Sequence, residues 1–173
     1  MADGVQPSAV YPCDFDRAFR SLDRIKPNVD VWWTGGAQAT QLLASGEVDL
    51  CATWSTRAQA AIDENAQKAP LAISWNQGLY SYSGWVIIKG GPKVEACRKF
   101  IKFCANPERQ AIYTRYLAAG PTNLEAYKYV TPERAATLAT SPRNLDKMIA
   151  ADPVFWGRQQ AKAVELFDSW LLK

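Results

Sequence analysis

The chain has 173 residues, 48% hydrophobic and 21% charged, a balance that excludes disorder and allows one domain or two small lobes with a sizeable core. Its 20 basic and 17 acidic residues leave +3, too mild a charge to point to nucleic acid. No apolar run approaches the ~20 residues of a membrane-spanning helix, and the opening MADGVQPSAVYP has neither the basic start nor the apolar stretch of a signal peptide. If Met1 is the natural start, a cytoplasmic location is expected.

Asp14 is placed to cap a helix with apolar residues Phe15, Phe19, Leu22 and Ile25, ended by Lys26-Pro27-Asn28. Val29 to Trp33 reads as a short strand, Thr34-Gly35-Gly36 as a turn, and Ala37 to Ala44 as a helix stopped by Ser45-Gly46. Val48, Leu50, Ala52 and Trp54 alternate with Asp49, Cys51 and Thr53, the pattern of a half-buried strand. A helix is expected over Thr56 to Asn65, an apolar run over Leu71 to Trp75, and a strand over Trp85 to Ile88 closed by Gly90-Gly91-Pro92.

Helices dominate from there. Val94, Cys97, Phe100, Ile101 and Cys104 form one apolar stripe, and the lysines between Lys89 and Lys102 its solvated face. Asn106-Pro107 and Thr131-Pro132 are cap-plus-proline starts. Residues 140–154 look irregular, and a last helix over about Gln159 to Leu172 is expected to bury Ala163, Val164, Phe167, Trp170 and Leu171. The pattern is α/β with a small sheet.

Histidine is absent, which removes Ser-His-Asp and Cys-His catalysis. The four cysteines contain no CxxC pair, so a structural zinc site is not supported. Cys97 and Cys104 sit seven apart on one helix, which holds their Cα atoms roughly 10 Å apart, too far for a disulfide. They read as small buried apolar residues; a Cys13–Cys51 bridge stays open. No phosphate-loop, dinucleotide-binding or nucleophile-elbow motif occurs. No cofactor, metal or catalytic residue is expected, and the chain is not read as an enzyme.

What remains is material for recognition. Seven tryptophans and seven tyrosines are a heavy load, and Trp33, Trp54, Trp75, Tyr80 and Tyr82 fall at strand ends or turns. Trp33-Thr34-Gly35-Gly36 offers an aromatic face, a hydroxyl and backbone N–H groups at a helix start, which suit an anion or a carbonyl oxygen. The alternative is that Thr34 caps the helix, the glycines only permit the turn, and the tryptophans only fill a core.

Six segments in order are DFDRAFRSLDRIKP, VWWTGGAQATQLLASGEVDLCATW, WNQGLYSYSGWVIIKGG, CRKFIKFCANPERQAIY, LAAGPTNLEAY and LFDSWLLK. Together they resemble the C-terminal half of a bacterial extracellular (periplasmic) solute-binding protein of the spermidine/putrescine-type ABC transporter family. The resemblance runs from about residue 10 to the end. It implies part of a type 2 periplasmic-binding-protein fold with the first lobe largely missing. Residues 1–82 would belong to the second lobe, 83–125 would cross to pack on the first, and 126–173 would return. It further implies solute binding without chemistry in an aromatic-lined cleft, a permease partner and a periplasmic location. The ligand-binding candidates are Trp33, Thr34, Gly35, Trp54, Ser55, Arg57, Tyr82 and Ser83.

Two departures bear on the solute. Members of that family commonly read Trp-Asn-Gly where this chain reads Trp54-Ser55-Thr56-Arg57, and polyamine binders place a tryptophan and an aspartate where it has Ser81 and Ser83. A desolvated ammonium needs a charged partner, which the serines do not supply. Arg57 would suit a carboxylate-bearing solute, and a role on the helix surface fits it equally. The helix faces over 94–117 would also lack a covering lobe, so self-association of the chain, as a homodimer, is the competing expectation.

Overall fold

In a computed structural model, the described residues are 1–65 and 71–173. Their helices, in chain order, are α1 (Phe15–Asp23), α2 (Gly36–Ser45), α3 (Ser55–Asn65), α4 (Val94–Cys104), α5 (Pro107–Thr114), α6 (Pro132–Ala136), α7 (Pro142–Leu145) and α8 (Pro153–Leu171). Short 3₁₀ turns occupy Pro7–Ala9, Lys26–Asn28 and Leu124–Tyr129. The described sheet is one parallel pair, β1 (Leu79–Tyr80) against β2 (Ile149–Ala150).

Helix starts follow local chemistry. The Asp14 carboxylate accepts from the Arg17 N–H at 2.9 Å, Asn106 from the Arg109 N–H at 3.1 Å, and Thr131 from the Arg134 N–H at 3.3 Å. Helix α2 closes on Gly46, whose φ of 71° is the left-handed geometry that glycine adopts freely. Helix α8 begins at Pro153, six residues before the expected Gln159, because Asp152 accepts from the N–H groups of Val154 and Phe155. Of its five expected buried residues only Trp170 is fully buried, while Val164 is exposed.

Strands correct the reading further. Val29–Trp33, 48–54 and 85–88 form no strand. Leu50 is 91% exposed, whereas Cys51 and Thr53 are half-buried, the reverse of the expected alternation. An alternating sequence becomes a strand only beside a partner, and these segments have none among the described residues. All four cysteines are free thiols, and Cys97 is exposed rather than buried.

The chain divides into two compact units. Unit 1 joins Met1–Trp32, Leu79–Ser81 and Ile149–Lys173. Its centre is aromatic: Trp32 meets Phe167 and Trp170 edge-on at 5.6 and 5.3 Å, and Phe19 lies 5.8 Å from Trp170. The Trp170 indole N–H donates to Asp23 at 2.7 Å, and Lys26 donates to the Trp170 carbonyl at 2.8 Å, capping the end of α8.

Unit 2 comprises Trp33–Gly78 and Tyr82–Met148. Small residues fill its centre, including Ala39, Ala61, Ala111, Ala118 and Ala126, together with Leu42 and Leu138. Arg134 clips three helices. Its Nε donates to the Thr114 carbonyl at 2.7 Å and its guanidinium meets Asp63 at 3.2 Å. Buried Asn144 donates to the carbonyls of Ala136 and Leu138, both at 2.9 Å.

Candidate functional site

The site grows from the start of α2. Gly35 is its N-cap, and a glycine brings no side-chain oxygen to the first turn. Thr34 does not cap the helix. Its own N–H instead donates to the Gln38 side-chain oxygen at 3.3 Å. Among the described residues, the N–H groups of Gly36, Ala37 and Gln38 meet no acceptor. They concentrate positive potential at this end of the helix.

Gly36 is buried, and its bare Cα is where two other side chains approach. A Cβ built there would come within 2.8 Å of the Trp54 ring and 2.7 Å of Arg57 Nε. Only glycine permits that approach. Trp54 precedes α3 and Arg57 lies in its first turn, so α3 delivers the pair to the start of α2. The Arg57 guanidinium sits 5.9 Å from the Trp54 ring centre, and no carboxylate pairs with it among the described residues.

Trp33 completes the cluster. Its ring meets Trp54 edge-on at 5.4 Å, and its indole N–H donates to the Ala52 carbonyl at 2.9 Å, fixing the ring. Trp54 keeps 56% of its surface exposed. Two polar groups lie next in sequence. Burial pushes the Cys51 thiol above its ordinary pKa, against a smaller lowering by a hydrogen bond with Trp33. Among the described residues the buried Thr53 hydroxyl oxygen has no hydrogen-bond partner, a state that costs about 1–3 kcal/mol unless something fills it. A shallow groove of about 360 Å³ between α2 and α3 is bracketed by Arg57 and Glu64.

Of the eight candidates, Trp33, Trp54 and Arg57 come together, with exposed Thr34 and Gly35 directly after Trp33 in sequence and Ser55 opening α3. No described hydrogen bond or ring contact ties Tyr82 or Ser83 to this group; Tyr82 is 75% exposed. Gly36 and Gln38 were absent from the candidates. The second glycine of the Gly35-Gly36 pair was the available signal for a close approach. Chemically, the cluster offers a cation, uncapped N–H donors and aromatic surface. It presents no nucleophile–base pair, and no described group of acidic or cysteine side chains could hold a metal.

A sequence model described as bacterial extracellular solute-binding protein matches residues 1–140. The chain belongs to that family. It is 33% identical over 175 residues to the gamma-aminobutyric acid-binding protein of Pseudomonas aeruginosa strain PAO1, a match covering 98% of the chain and 49% of that protein. An ABC transporter substrate-binding protein from Bradyrhizobium japonicum USDA 110 superimposes with a TM-score of 0.88 at 38% identity, over 98% of this chain and 53% of that one. The binding protein AgtB from A. tumefaciens R10, solved with agropinic acid, gives 0.78 at 29% identity, over 99% and 53%. The chain therefore carries part of a type 2 periplasmic-binding-protein fold and spans about half the length of the relatives it matches. The relatives are named as solute-binding proteins, not as enzymes.

Proposed function

We propose that this chain contributes the carboxylate-recognising surface of an ABC importer's solute-binding protein, working outside the cytoplasmic membrane and delivering solute to a permease. The solute is a small amino-acid-like molecule. Its carboxylate meets Arg57 and the open N–H groups of α2, and its remainder lies on Trp33 and Trp54. Thr34, Gly35 and Ser55 supply hydrogen bonds at the edge, and Tyr82 and Ser83 join once solute is held. The observation that carries this reading is the convergence on Gly36 of a guanidinium without a carboxylate partner and a helix start without a side-chain cap, among the described residues. Two relatives support it, since gamma-aminobutyric acid and agropinic acid are both carboxylic acids. A polyamine, the spermidine/putrescine alternative, carries only cations and would face Arg57.

Tryptophan fluorescence tests the choice. Titration with gamma-aminobutyrate should change the emission of Trp33 and Trp54, and putrescine should not. Arg57→Ala should weaken the response about ten-fold or more, the scale of one lost charge-assisted contact. Equal response to putrescine, or an Arg57→Ala titration identical to the parent, would sink the proposal. The second reading, self-association without solute binding, is favoured by the exposed apolar surface over 82–103.

A further inference from the structure

Gln38 stands in the first turn of α2 with its side chain folded back over the helix start, where its Oε1 accepts from the Thr34 N–H at 3.3 Å. That bond decides which way the amide points. A backbone N–H needs an acceptor, so the oxygen faces Thr34 and the side-chain NH₂ keeps both of its protons for other partners. Among the described residues those protons meet no acceptor. Thr34 thus holds the amide in one orientation, with its donors free at the mouth of the helix.

Charge makes the choice of an amide informative. A carboxylate at this position would accept the same Thr34 N–H and would also stabilise the positive end of the helix. The starts of α1, α4, α5 and α6 take that option, with Asp16, Glu95, Glu108 and Glu133 in their first turns. Helix α2 has no acidic residue in its first turn, and the chain carries no charge of either sign from Val31 to Gly46. An anion of the chain's own would occupy the place; the amide leaves it open and adds donors to it.

We propose that Gln38 determines the specificity of this site. Its side-chain NH₂ joins the N–H groups of Gly36 and Ala37 and the Arg57 guanidinium in donating to the solute's carboxylate, and a set made only of donors rejects the corresponding carboxamide. The inference rests on the carboxylate reading above and adds to it one contact and one discrimination. A carboxylate brings two acceptor oxygens, whereas a carboxamide of the same shape brings one oxygen and one NH₂. The NH₂ would face donors and leave them unpaired, and a site built to make a hydrogen bond discriminates strongly against an analogue that cannot make it.

Gln38→Glu tests the role directly, because it keeps the acceptor for Thr34 and exchanges the free donors for a negative charge. In amide NMR spectra of the chain, gamma-aminobutyrate should shift the signals of the Gly36 and Ala37 N–H groups and of the Gln38 side-chain NH₂ together. Its carboxamide should bind about ten-fold more weakly or worse. In Gln38→Glu, gamma-aminobutyrate affinity should fall about ten-fold or more, and its advantage over the carboxamide should shrink or reverse. Urea unfolding of this variant should show no loss of stability, since a carboxylate suits a helix start. Gln38→Met, which removes the donors without adding charge, should weaken gamma-aminobutyrate binding with an unchanged far-UV circular dichroism spectrum. Parental affinity and preference in both variants, while Gly36 and Ala37 still respond and Arg57→Ala still weakens binding, would overturn the role of Gln38 and leave the carboxylate site standing. A parent that takes the carboxamide as well as the carboxylate would overturn the discrimination. A parent whose Gly36 and Ala37 signals do not move with gamma-aminobutyrate would overturn both the role and the site.

Discussion

Trp32 belongs to a cluster with Phe167 and Trp170 in unit 1, whereas its neighbour Trp33 meets Trp54 in unit 2. In the first cluster the polar groups of Trp170 are satisfied: Asp23 takes its indole N–H, and Lys26 lies over its ring at 4.4 Å while donating to its carbonyl. In the second, Trp54 is more than half exposed, and among the described residues the guanidinium over it has no carboxylate partner and the start of the helix beside it has no side-chain cap. Aromatic content alone therefore does not separate core from site. The state of the polar groups around each ring does, because a finished core leaves no donors and a binding surface keeps them.

Three substitutions or conditions test that contrast, from the largest effect to the smallest. Trp170→Ala should cost roughly 3–5 kcal/mol in urea unfolding, as expected for removal of a buried tryptophan. A cost below about 1 kcal/mol would mean that unit 1 does not rest on this cluster. Gly36→Ala should behave contrary to helix propensity. Alanine normally gains up to about 1 kcal/mol over glycine in a helix, but here its methyl displaces Trp54 and Arg57 and should cost about 1–3 kcal/mol. Solute titration of this variant should weaken too, and a stabilised variant with parental binding would remove Gly36 from the site.

The smallest effect concerns Cys51. Its thiol pKa is raised by burial, so the folded form holds the proton more tightly than the unfolded chain does. This linkage contributes stability that is fully present below the ordinary thiol pKa and is lost as pH rises through the raised value. Alkylation by iodoacetamide should accordingly require higher pH in native than in urea-unfolded protein. Identical pH profiles would place Cys51 in free contact with solvent.

Helices were legible because their signals are local. Asp14, Asn106-Pro107 and Thr131-Pro132 mark starts that the backbone then uses. Asp152-Pro153 carries the same signal and starts α8, although it lay in a stretch read as irregular for its prolines. Strands were not legible, since 48–54 and 85–88 have strand composition without a partner, and pairing is a property of two segments. For the candidate site, Trp33, Trp54 and Arg57 could be named from the chain. Their meeting on Gly36 could not, because it depends on how α3 lies across α2. The different surroundings of Trp32 and Trp33 were equally invisible, since both have the same side chain and adjacent positions.

Unit 1 is stitched from distant parts of the chain. Lys26 reaches Trp170 across 144 residues, and Tyr11 meets Trp156 across 145 at 2.8 Å. On the ribosome, residues 1–32 must therefore wait, apolar faces open, until α8 has been made, whereas α2 and α3 of unit 2 can meet as soon as they emerge. Unit 1 should be the last part to gain protease resistance during synthesis, and ribosome-bound chains stalled before Pro153 should show α2 and α3 protected while α1 is still cut. Equal protection of α1 in such chains would refute this order. Closing a loop of that length makes the aromatic cluster of unit 1 a checkpoint on the synthesis of α8, set by chain connectivity rather than by any single contact.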